Sequence, residues 1–442
     1  MTRIIFIGAG SVVFTRQLLA DLLQFDDLGP LEVVLHDISR DRLDVALGTA
    51  HQLAERFGRV AAFSATTDRR RALEGADFVV NVVLVGGAAP GRIDLEVPAE
   101  LGLLQTVADT TGIGGVFRAL RTFPLLSAIA RDMAELCPTA LFLNYTNPMA
   151  MNVGWLAAVA PWLKSYGLCH SIYWTVHDLC ELVGVPLEGT RFRAAGVNHQ
   201  SWLTEWTHDG EDLYPRLRDR IAADPELERR VRVEIFRRIG SYPTENSEHS
   251  AEYTSWFLRT PEQIERYRLV PLWHIASDEQ NLSAYEDARA ALAEGRQLAL
   301  EDEATEYAPQ LIHSLVTGSE REIHVNVVND GLIDNLPADA VVEVPAMVNG
   351  SGVTPIRMGR IPTAGAALNR SAVSLAELTL EAALTGDREK VRQAVLADPL
   401  ATAVLTPAQI WSLCDRLTEL HAAYLPVELG GQAELVDVPS PR

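Results

Sequence analysis

Residues 1–11 read MTRIIFIGAGS, and this stretch decides the predicted fold. Its apolar run, Arg3–Ile7, is typical of a buried strand. Gly8-Ala9-Gly10-Ser11 follows at once, where glycines permit a tight turn and the approach of a pyrophosphate to a helix N-terminus. The third glycine of the dinucleotide fingerprint is replaced by Val13. The stretch therefore predicts either a dinucleotide site or a plain strand–helix turn.

The first third of the chain repeats this strand–helix rhythm. Amphipathic stretches lie between apolar runs, which indicates a Rossmann-like parallel sheet with helices on both faces. The predicted strands are Arg3–Ile7, Leu31–Leu35, Phe78–Val85, Ala140–Leu143 and Ser165–Cys169. The predicted helices are Thr15–Leu23, Arg42–Phe57, Leu120–Leu136 and Val176–Val183.

The pattern changes after about residue 195. Charged helical segments at Glu226–Ile239 and Tyr285–Glu294 precede a β-rich stretch at Glu322–Pro362 and helices over Ser374–Tyr424. We therefore predict an α/β protein with two domains. Residues 1–195 are expected to form a Rossmann-like domain that carries the dinucleotide turn, and residues 196–442 a mixed α/β domain. No Gly/Ser linker separates them, so we expect a shared interface.

Composition excludes several classes of partner. The 442 residues carry 38 Lys and Arg against 59 Asp and Glu, a formal net charge of −21. Such a surface repels nucleic acid and anionic lipid, so neither is expected as a partner. Four scattered cysteines suit neither a disulfide framework nor a zinc site, which favours a reducing, cytoplasmic location. The short N-terminal apolar run predicts a strand rather than a signal peptide, and no 18-residue apolar run predicts a membrane span.

Two polar residues strengthen the dinucleotide interpretation. Asp37 ends the second strand, where its carboxylate can accept hydrogen bonds from the adenine ribose and repel a 2′-phosphate, favouring NAD over NADP. Arg40 and Arg42 lie nearby, and their positive charges favour NADP instead. The alternative is that Asp37 only caps the next helix. Asn81, on the fourth strand, is predicted as a further cofactor contact.

Polar residues also follow the later strands, where ligands bind in such sheets. Asn144-Tyr145-Thr146-Asn147-Pro148 follows the fifth strand, and Cys169-His170-Ser171 follows the next. Cys169 and His199 could share a divalent ion that keeps positions open for substrate. The alternatives are a turn before a helix, a buried apolar cysteine and a hydrogen-bonded histidine.

Two glycine-rich loops complete the set of candidates. One contains Gly86-Gly87 and Pro90-Gly91-Arg92, and the other is the run DTTGIGG at residues 109–115. Glycine permits mobile lids over a cofactor, but the same residues also make ordinary turns.

Together these motifs closely resemble the NAD- and metal-dependent glycosidases of glycoside hydrolase family 4. The resemblance rests on Gly8–Ser11, Arg92, DTTGIGG, NYTNPM at 144–149, Cys169-His170-Ser171 and Gly196–His199. It extends to the second half through VNVVNDG at 325–331, Leu336-Pro337 and VEVP at 342–345. It implies a fold related to lactate and malate dehydrogenases and a homodimer or homotetramer that acts on a small-molecule glycoside.

The resemblance also implies an unusual reaction, since this family departs from the two-carboxylate rule of glycosidases. NAD⁺ oxidises C3 of the sugar, a base removes the C2 proton, and the leaving group departs by elimination across C1–C2. Water then adds at C1 and the hydride returns to C3. A divalent metal, usually Mn²⁺, binds the C2 and C3 oxygens as a Lewis acid.

The resemblance assigns roles to individual residues. Cys169 and His199 match the metal ligands, and His170 matches the general acid. Asn147 and Arg92 match substrate contacts, and Gly8, Gly10, Ser11, Asp37 and Asn81 serve the cofactor. The base lies in residues 240–253, where we favour Tyr253, although an interface aromatic explains that residue as well. A tyrosine with a pKa of about 10 needs a cation nearby to act as a base.

The residues after Cys169 separate substrate groups in this family. Cys169-His170-Ser171 resembles the α-galactosidase branch, whereas Cys-His-Gly marks α-glucosidases and Cys-His-Glu marks enzymes of uronides. Members that act on 6-phosphosugars have Cys-Asn or Cys-Asp instead. We therefore predict α-galactosides as substrates, with α-glucosides or α-uronides as the alternative.

Two hypotheses of other classes compete with this one. A 2-hydroxy-acid dehydrogenase shares the sheet but needs a His–Asp pair and a carboxylate-binding arginine. Its turnover would release NADH, whereas the glycosidase returns its hydride. A non-enzymatic NAD sensor would bind NAD without needing Cys169 or a metal.

Overall fold

The computed structural model describes residues 1–299 and 306–441 and confirms the α/β fold class. The described strands are β1 Thr2–Ile7, β2 Leu31–His36, β3 Ala61–Thr66, β4 Phe78–Asn81, β5 Leu141–Asn144, β6 Ser165–Gly167, β7 Thr190–Val197, β8 Gln200–His208, β9 Glu211–Asp212, β10 Tyr242–Pro243, β11 Arg321–Val328, β12 Val341–Asn349 and β13 Gly352–Pro355.

The helices cover both faces of these strands. They are α1 Val12–Gln24, α2 Arg40–Arg56, α3 Arg69–Leu73, α4 Ala88–Ala99, α5 Gly112–Leu136, α6 Met149–Val159, α7 Ser171–Val183, α8 Tyr214–Ala223, α9 Val231–Ile239, α10 Ser247–Glu252, α11 Pro261–Arg266, α12 Trp273–Ala293, α13 Tyr307–Thr317, α14 Thr363–Thr385, α15 Arg388–Leu396, α16 Pro399–Val404 and α17 Pro407–Leu420. Short 3₁₀ turns lie at Pro225–Arg229 and Val427–Leu429.

In the described part of the chain, one continuous sheet joins all the strands. Its order is β10-β8-β7-β12-β11-β6-β5-β4-β1-β2-β3, with β13 beside β12 and β9 beside β8. The run β3-β2-β1-β4-β5-β6 is parallel and has the Rossmann order. From β6 onward, through β11, β12, β7 and β8, the pairing is antiparallel.

The apolar side chains of the central strands point alternately to the two faces of the sheet and form a core on each face. Ile4 and Phe6 of β1 pack with α1, α2 and α13 on one face, whereas Ile5 and Ile7 pack with α5 and α6 on the other. Successive strand residues point to opposite faces, so a continuously apolar strand is buried on both. Each methylene removed from water contributes roughly 0.8 kcal/mol, so this double burial is the main stabilising term for the central strands.

The predicted boundary between residues 195 and 196 falls inside β7. The sheet crosses this boundary without interruption, since β12 pairs with both β11 and β7. The two-domain division therefore remains a proposal about function rather than a gap in the sheet.

Several predicted elements differ in extent. The strand predicted over Phe78–Val85 ends at Asn81, because the chain turns there toward α4. The charged segment Glu226–Ile239 is broken at Arg230, whose backbone is extended. The apolar helix α5 is long enough to cross a membrane by length and composition, but 83% of its most apolar window is buried in the protein, as in a core helix.

Candidate active site

A cluster of buried polar side chains lies beyond the carboxyl ends of the central strands. Cys169 follows β6, His199 lies in the turn between β7 and β8, and Glu245 and His249 come from the segment that begins α10. Asp109 joins them from the residues that precede α5. Cys169 lies there because parallel strands place their carboxyl ends at one edge of a sheet, whereas His199 reaches the same place on the turn of the antiparallel pair β7–β8.

Three side chains form a candidate metal site. Nε2 of His199 is 3.4 Å from Sγ of Cys169 and 3.5 Å from Oε2 of Glu245. The three ligand atoms lie within 4.8 Å of one another. Both His199 and Glu245 have positive φ, at 63° and 75°, which is uncommon for residues other than glycine and points to a functional constraint. A sulfur, a nitrogen and a carboxylate oxygen suit a first-row divalent ion.

The orientation of His199 is set by a chain of hydrogen bonds. The Thr110 hydroxyl donates to Oδ1 of Asp109 at 2.6 Å, so it accepts from Nδ1 of His199, 2.9 Å away. This leaves the lone pair of Nε2 facing Cys169, as metal-binding histidines require. Burial, and then the charge of His249, lowers the pKa of His199 to about 4, which keeps the imidazole neutral.

His249 lies between two carboxylates. Its Nε2 is 3.3 Å from Oδ1 of Asp109, and its Nδ1 is 3.5 Å from Oε1 of Glu245. Burial opposes the charged imidazole, but Glu245 and Asp109 overcome it and raise the pKa of His249 to about 9. Burial likewise opposes ionisation of Glu245, whereas His249 and His199 lower its pKa to about 2. The arrangement therefore holds an imidazolium between two carboxylates.

Burial, followed by the charges of Glu343 and Glu245, raises the pKa of the Cys169 thiol. A thiolate ligand at this position therefore requires the positive charge of a bound cation. The donor set fits a divalent ion chemically, because the same cation would offset the carboxylates around it.

The predicted base, Tyr253, lies beside this cluster but is engaged elsewhere. Its hydroxyl donates to the backbone carbonyl of Asn198 at 2.7 Å, and burial raises its pKa well above the ordinary value. The predicted acid, His170, caps α7 and is half exposed, with Nδ1 2.7 Å from Oε1 of Glu306.

The two predicted substrate contacts have partners within the protein. Nδ2 of Asn147 donates to Oδ2 of Asp109 at 2.8 Å, so Asn147 belongs to the cluster. Arg92 is half exposed and forms ion pairs with Glu96 and Glu279 at 3.2 and 2.8 Å. The structure therefore brings Asn147, but not Arg92, into contact with the cluster.

The predicted nucleotide turn is tightly packed. Gly8 has φ of 89°, and a Cβ there would lie 2.8 Å from the Val83 nitrogen. A Cβ on Gly10 would lie 2.5 Å from Oδ2 of Asp37, which accepts from the Gly10 N–H at 2.9 Å. Ser39, not Asp37, provides the side-chain cap of α2. These packing distances explain why both turn positions are glycine.

Asn81 and Ser11 complete the predicted cofactor residues. Asn81 is buried at the end of β4, where its Nδ2 donates to Oδ1 of Asn144 at 2.8 Å and to Oγ1 of Thr146 at 3.2 Å. The structure therefore shows Asn81 joining the ends of two neighbouring strands. Ser11 is the N-cap residue of α1, at the helix end predicted to receive the pyrophosphate.

The lid predicted for residues 109–115 is wrong. All seven residues are buried, and Gly112–Gly115 form the first turn of α5. A Cβ on Gly114 would lie 2.6 Å from the Ala108 carbonyl oxygen, and one on Gly115 would lie 2.8 Å from the Thr110 carbonyl carbon. The glycines thus allow close helix packing. The other predicted loop is shorter than expected, because Pro90-Gly91-Arg92 lie inside α4. Gly86 and Gly87 precede the helix and are exposed, and their role as a lid remains a prediction.

Comparison with known proteins adds an independent result. The model described as "Family 4 glycosyl hydrolase" matches residues 3–185, and the model of its C-terminal domain matches residues 194–401. An α-galactosidase of Bacillus subtilis is 39% identical over 96% of this chain and 99% of its own length. Other relatives, at 28 to 30% identity, include α-galacturonidases and an α-glucosidase.

Solved structures show the same architecture. A structure described as the putative glucosidase lplD from Bacillus subtilis aligns with a TM-score of 0.84 at 28% identity, covering 94% of this chain and 99% of that one. A 6-phospho-α-glucosidase from gut microorganisms, solved with NAD and Mn²⁺, has a TM-score of 0.82 at 21% identity, covering 96% and 99%. At that identity the second likeness shows the fold alone.

Proposed function

The chain belongs to family 4 of the glycosyl hydrolases, and we propose that it is an NAD- and Mn²⁺-dependent α-galactosidase. The observation that carries this proposal is the group Cys169, His199 and Glu245, whose ligand atoms converge near the strand ends. Two further points support the sugar: the 39%-identical relative is an α-galactosidase, and Ser171 follows Cys169-His170.

The residues present fit both groups that the reaction needs. Cys169, His199 and Glu245 would hold the divalent ion, which when bound supplies Lewis-acid polarisation of the sugar hydroxyls. Gly8, Gly10, Ser11 and Asp37 would hold NAD⁺, which when bound accepts and returns the C3 hydride. A structural neighbour of the same fold was solved with these two groups, NAD and Mn²⁺.

The protein's own side chains supply proton transfer and orientation. We propose that His170 protonates the leaving group and that Asn147 and Arg92 bind sugar hydroxyls, exchanging their present carboxylate partners for substrate. Tyr253 is the proposed base at C2, and it requires a nearby cation because burial, and then the surrounding carboxylates, raise its pKa. Tyr253→Phe tests this role: exchange of the C2 hydrogen with D₂O during turnover should be lost, and retained exchange would exclude Tyr253.

The same chemistry on α-glucosides or α-uronides is the second candidate, favoured by the relatives with those names. We also propose a cytoplasmic homodimer or homotetramer. All four cysteines are free, which supports a reducing compartment. Light scattering of the purified protein tests the oligomeric state.

The decisive experiment is hydrolysis of p-nitrophenyl α-galactoside with NAD⁺, Mn²⁺ and a thiol reductant, each omitted in turn. The corresponding α-glucoside, α-glucuronide and 6-phosphoglucoside serve as parallel substrates. Cleavage of the galactoside that stops without NAD⁺ or Mn²⁺ supports the proposal. Cleavage of another glycoside would change the sugar but keep the mechanism. Inactivity on all four with NAD⁺ bound, or accumulation of NADH, would favour a sensor or a dehydrogenase.

A matched pair of variants separates the metal site from general thiol effects. Cys169→Ser should abolish Mn²⁺-dependent turnover. Cys137→Ser should not, since Cys137 is a buried thiol that packs in the core below α5. Equal activity of the two variants would contradict the assignment of Cys169.

A further inference from the structure

A buried carboxylate lies against the residue that follows Cys169. Oε1 of Glu306 is 2.7 Å from Nδ1 of His170, and the Glu306 side chain is only 3% exposed whereas that of His170 is 41% exposed. We infer that Glu306 is a positioning residue that orients the His170 imidazole for proton donation. This inference rests on the proposed function, in which His170 is the general acid.

The position of Glu306 is fixed by contacts other than the one with His170. Its backbone N–H donates to Oδ2 of Asp21 on α1 at 2.9 Å, where Asp21 is itself buried. Two residues further on, the N–H of Ala308 donates to the Tyr145 hydroxyl at 2.8 Å. Glu306 is thus held from α1 and from the segment after β5. A carboxylate anchored in this way can orient the more exposed imidazole of His170, rather than the reverse.

The contact selects which imidazole nitrogen exchanges a proton. Because a carboxylate oxygen accepts hydrogen bonds, the contact favours the His170 form whose Nδ1–H donates a hydrogen bond to Oε1 of Glu306. The proton delivered to the leaving group therefore comes from Nε2. As the bond between C1 and the leaving-group oxygen breaks, its electron pair stays on that oxygen, which takes the Nε2 proton. His170 is left neutral, still bonded to Glu306 through Nδ1.

The loss of activity that follows from loss of this positioning should depend on the leaving group. General acid catalysis contributes roughly 10²- to 10⁴-fold, and an alkoxide leaving group needs it far more than a nitrophenolate. Glu306→Gln should therefore lower kcat about 100-fold for methyl α-galactoside. It should lower kcat less than about 10-fold for dinitrophenyl α-galactoside, with KM little changed.

Two further variants make the comparison specific. Glu306→Asp retracts the carboxylate by one methylene and should show the same selective loss to a smaller extent. If the Glu306→Gln variant does not fold, Glu306→Asp provides the same test. Asp27→Asn is the matched control, because Oδ1 of Asp27 is likewise 2.7 Å from a histidine, His313 on α13. The control should keep wild-type rates on both substrates. Equal losses on both substrates in Glu306→Gln, or no loss, would overturn the inference.

A measurement that needs no turnover separates this inference from the proposed function. In protein labelled with ¹⁵N-histidine, the imidazole N–H resonance of His170 is identified by its absence in His170→Asn. We expect Glu306→Gln to shift or abolish this resonance, while Asp27→Asn leaves it unchanged. An unchanged resonance in Glu306→Gln refutes positioning whatever the activity. If the wild type cleaves neither glycoside but the resonance responds, the contact is supported and the proposed function fails.

Discussion

A buried glutamate beneath the active-site cluster makes the folded protein sensitive to pH. Glu343, on β12, is completely buried and accepts hydrogen bonds from Ser201 at 2.6 Å, Asn326 at 3.2 Å and Asn198 at 3.4 Å. Burial raises its pKa to about 7 from the ordinary 4.5, although the three donors act in the opposite direction. The folded state therefore binds this proton more tightly than the unfolded state does.

The sign and size of the effect follow from linkage. Stabilisation from the bound proton is fully present below the unfolded pKa of 4.5 and is lost as pH rises through the folded pKa of about 7. Since one pKa unit corresponds to about 1.4 kcal/mol, the loss approaches 3 kcal/mol, to within a factor of two. By about pH 8 the loss is essentially complete.

Glu343→Gln should remove this dependence while keeping the contacts with Ser201, Asn326 and Asn198. Oε1 keeps the two asparagine donors, and Nε2 takes the place of Oε2 and donates to the Ser201 hydroxyl. That hydroxyl already has a second acceptor, the Val197 carbonyl at 3.2 Å, to which its proton can turn. We therefore expect the variant to be about 3 kcal/mol more stable than wild type at about pH 8, but within about 1 kcal/mol near pH 5.

Urea unfolding in EDTA at both pH values measures the difference directly. Glu188→Gln, at an exposed glutamate, is the control and should leave the pH dependence of wild type unchanged. A variant that is less stable than wild type at the higher pH, or a difference that does not vary with pH, would refute the reasoning.

Three other predictions use separate parts of the site. Cys169→Ser should weaken Mn²⁺ binding at least ~100-fold in titration calorimetry while leaving NAD⁺ affinity unchanged; unchanged Mn²⁺ affinity would exclude Cys169 as a ligand. Gly8→Ala should weaken NAD⁺ binding and lower the free energy of unfolding by about 2 kcal/mol or more, because its Cβ meets rigid backbone atoms. Gly29→Ala, with φ of 71° and open space, isolates the cost of the backbone angle alone, and equal effects would contradict the packing argument. Substrate deuterated at C2 or C3 should react more slowly where that bond breaks in the limiting step, which competition between labelled and unlabelled substrate measures.

Local patterns are sufficient to predict most of the parallel half of the sheet. Apolar runs bounded by turn residues predict β1, β2 and β5 to within two residues. Strands that are buried on both faces consist almost entirely of apolar residues, so they are recognisable in the sequence. Cys169 and His199 could be paired in advance through motif order and resemblance. The sequence does not predict β3, since Ala61–Thr66 has only one large apolar residue, Phe63, and lies at the edge of the sheet.

Contacts between distant segments could not be predicted in the same way. Glu306 is 136 residues from His170 and belongs to no motif, so only the fold reveals the contact. Glu245 and His249 are four residues apart, which is the spacing of residues on one helix face. This spacing does not distinguish a functional pair from a surface pair. Composition alone does not show whether the run 109–115 is mobile, because glycine permits both flexibility and close packing.

The strand order has a consequence for how the protein is made. β11 and β12 lie in the sheet between β6 and β7, so residues 321–349 separate the strands that carry Cys169 and His199. During synthesis, β6 would leave the ribosome long before β11, its neighbour on one side. That edge of β6 would meanwhile be unpaired and able to pair with a wrong strand. In a fragment that ends at residue 195, this edge of β6 would stay unpaired permanently. The candidate metal ligands can therefore assemble only after about four-fifths of the chain has been synthesised, which ties the appearance of activity to near-completion of the polypeptide.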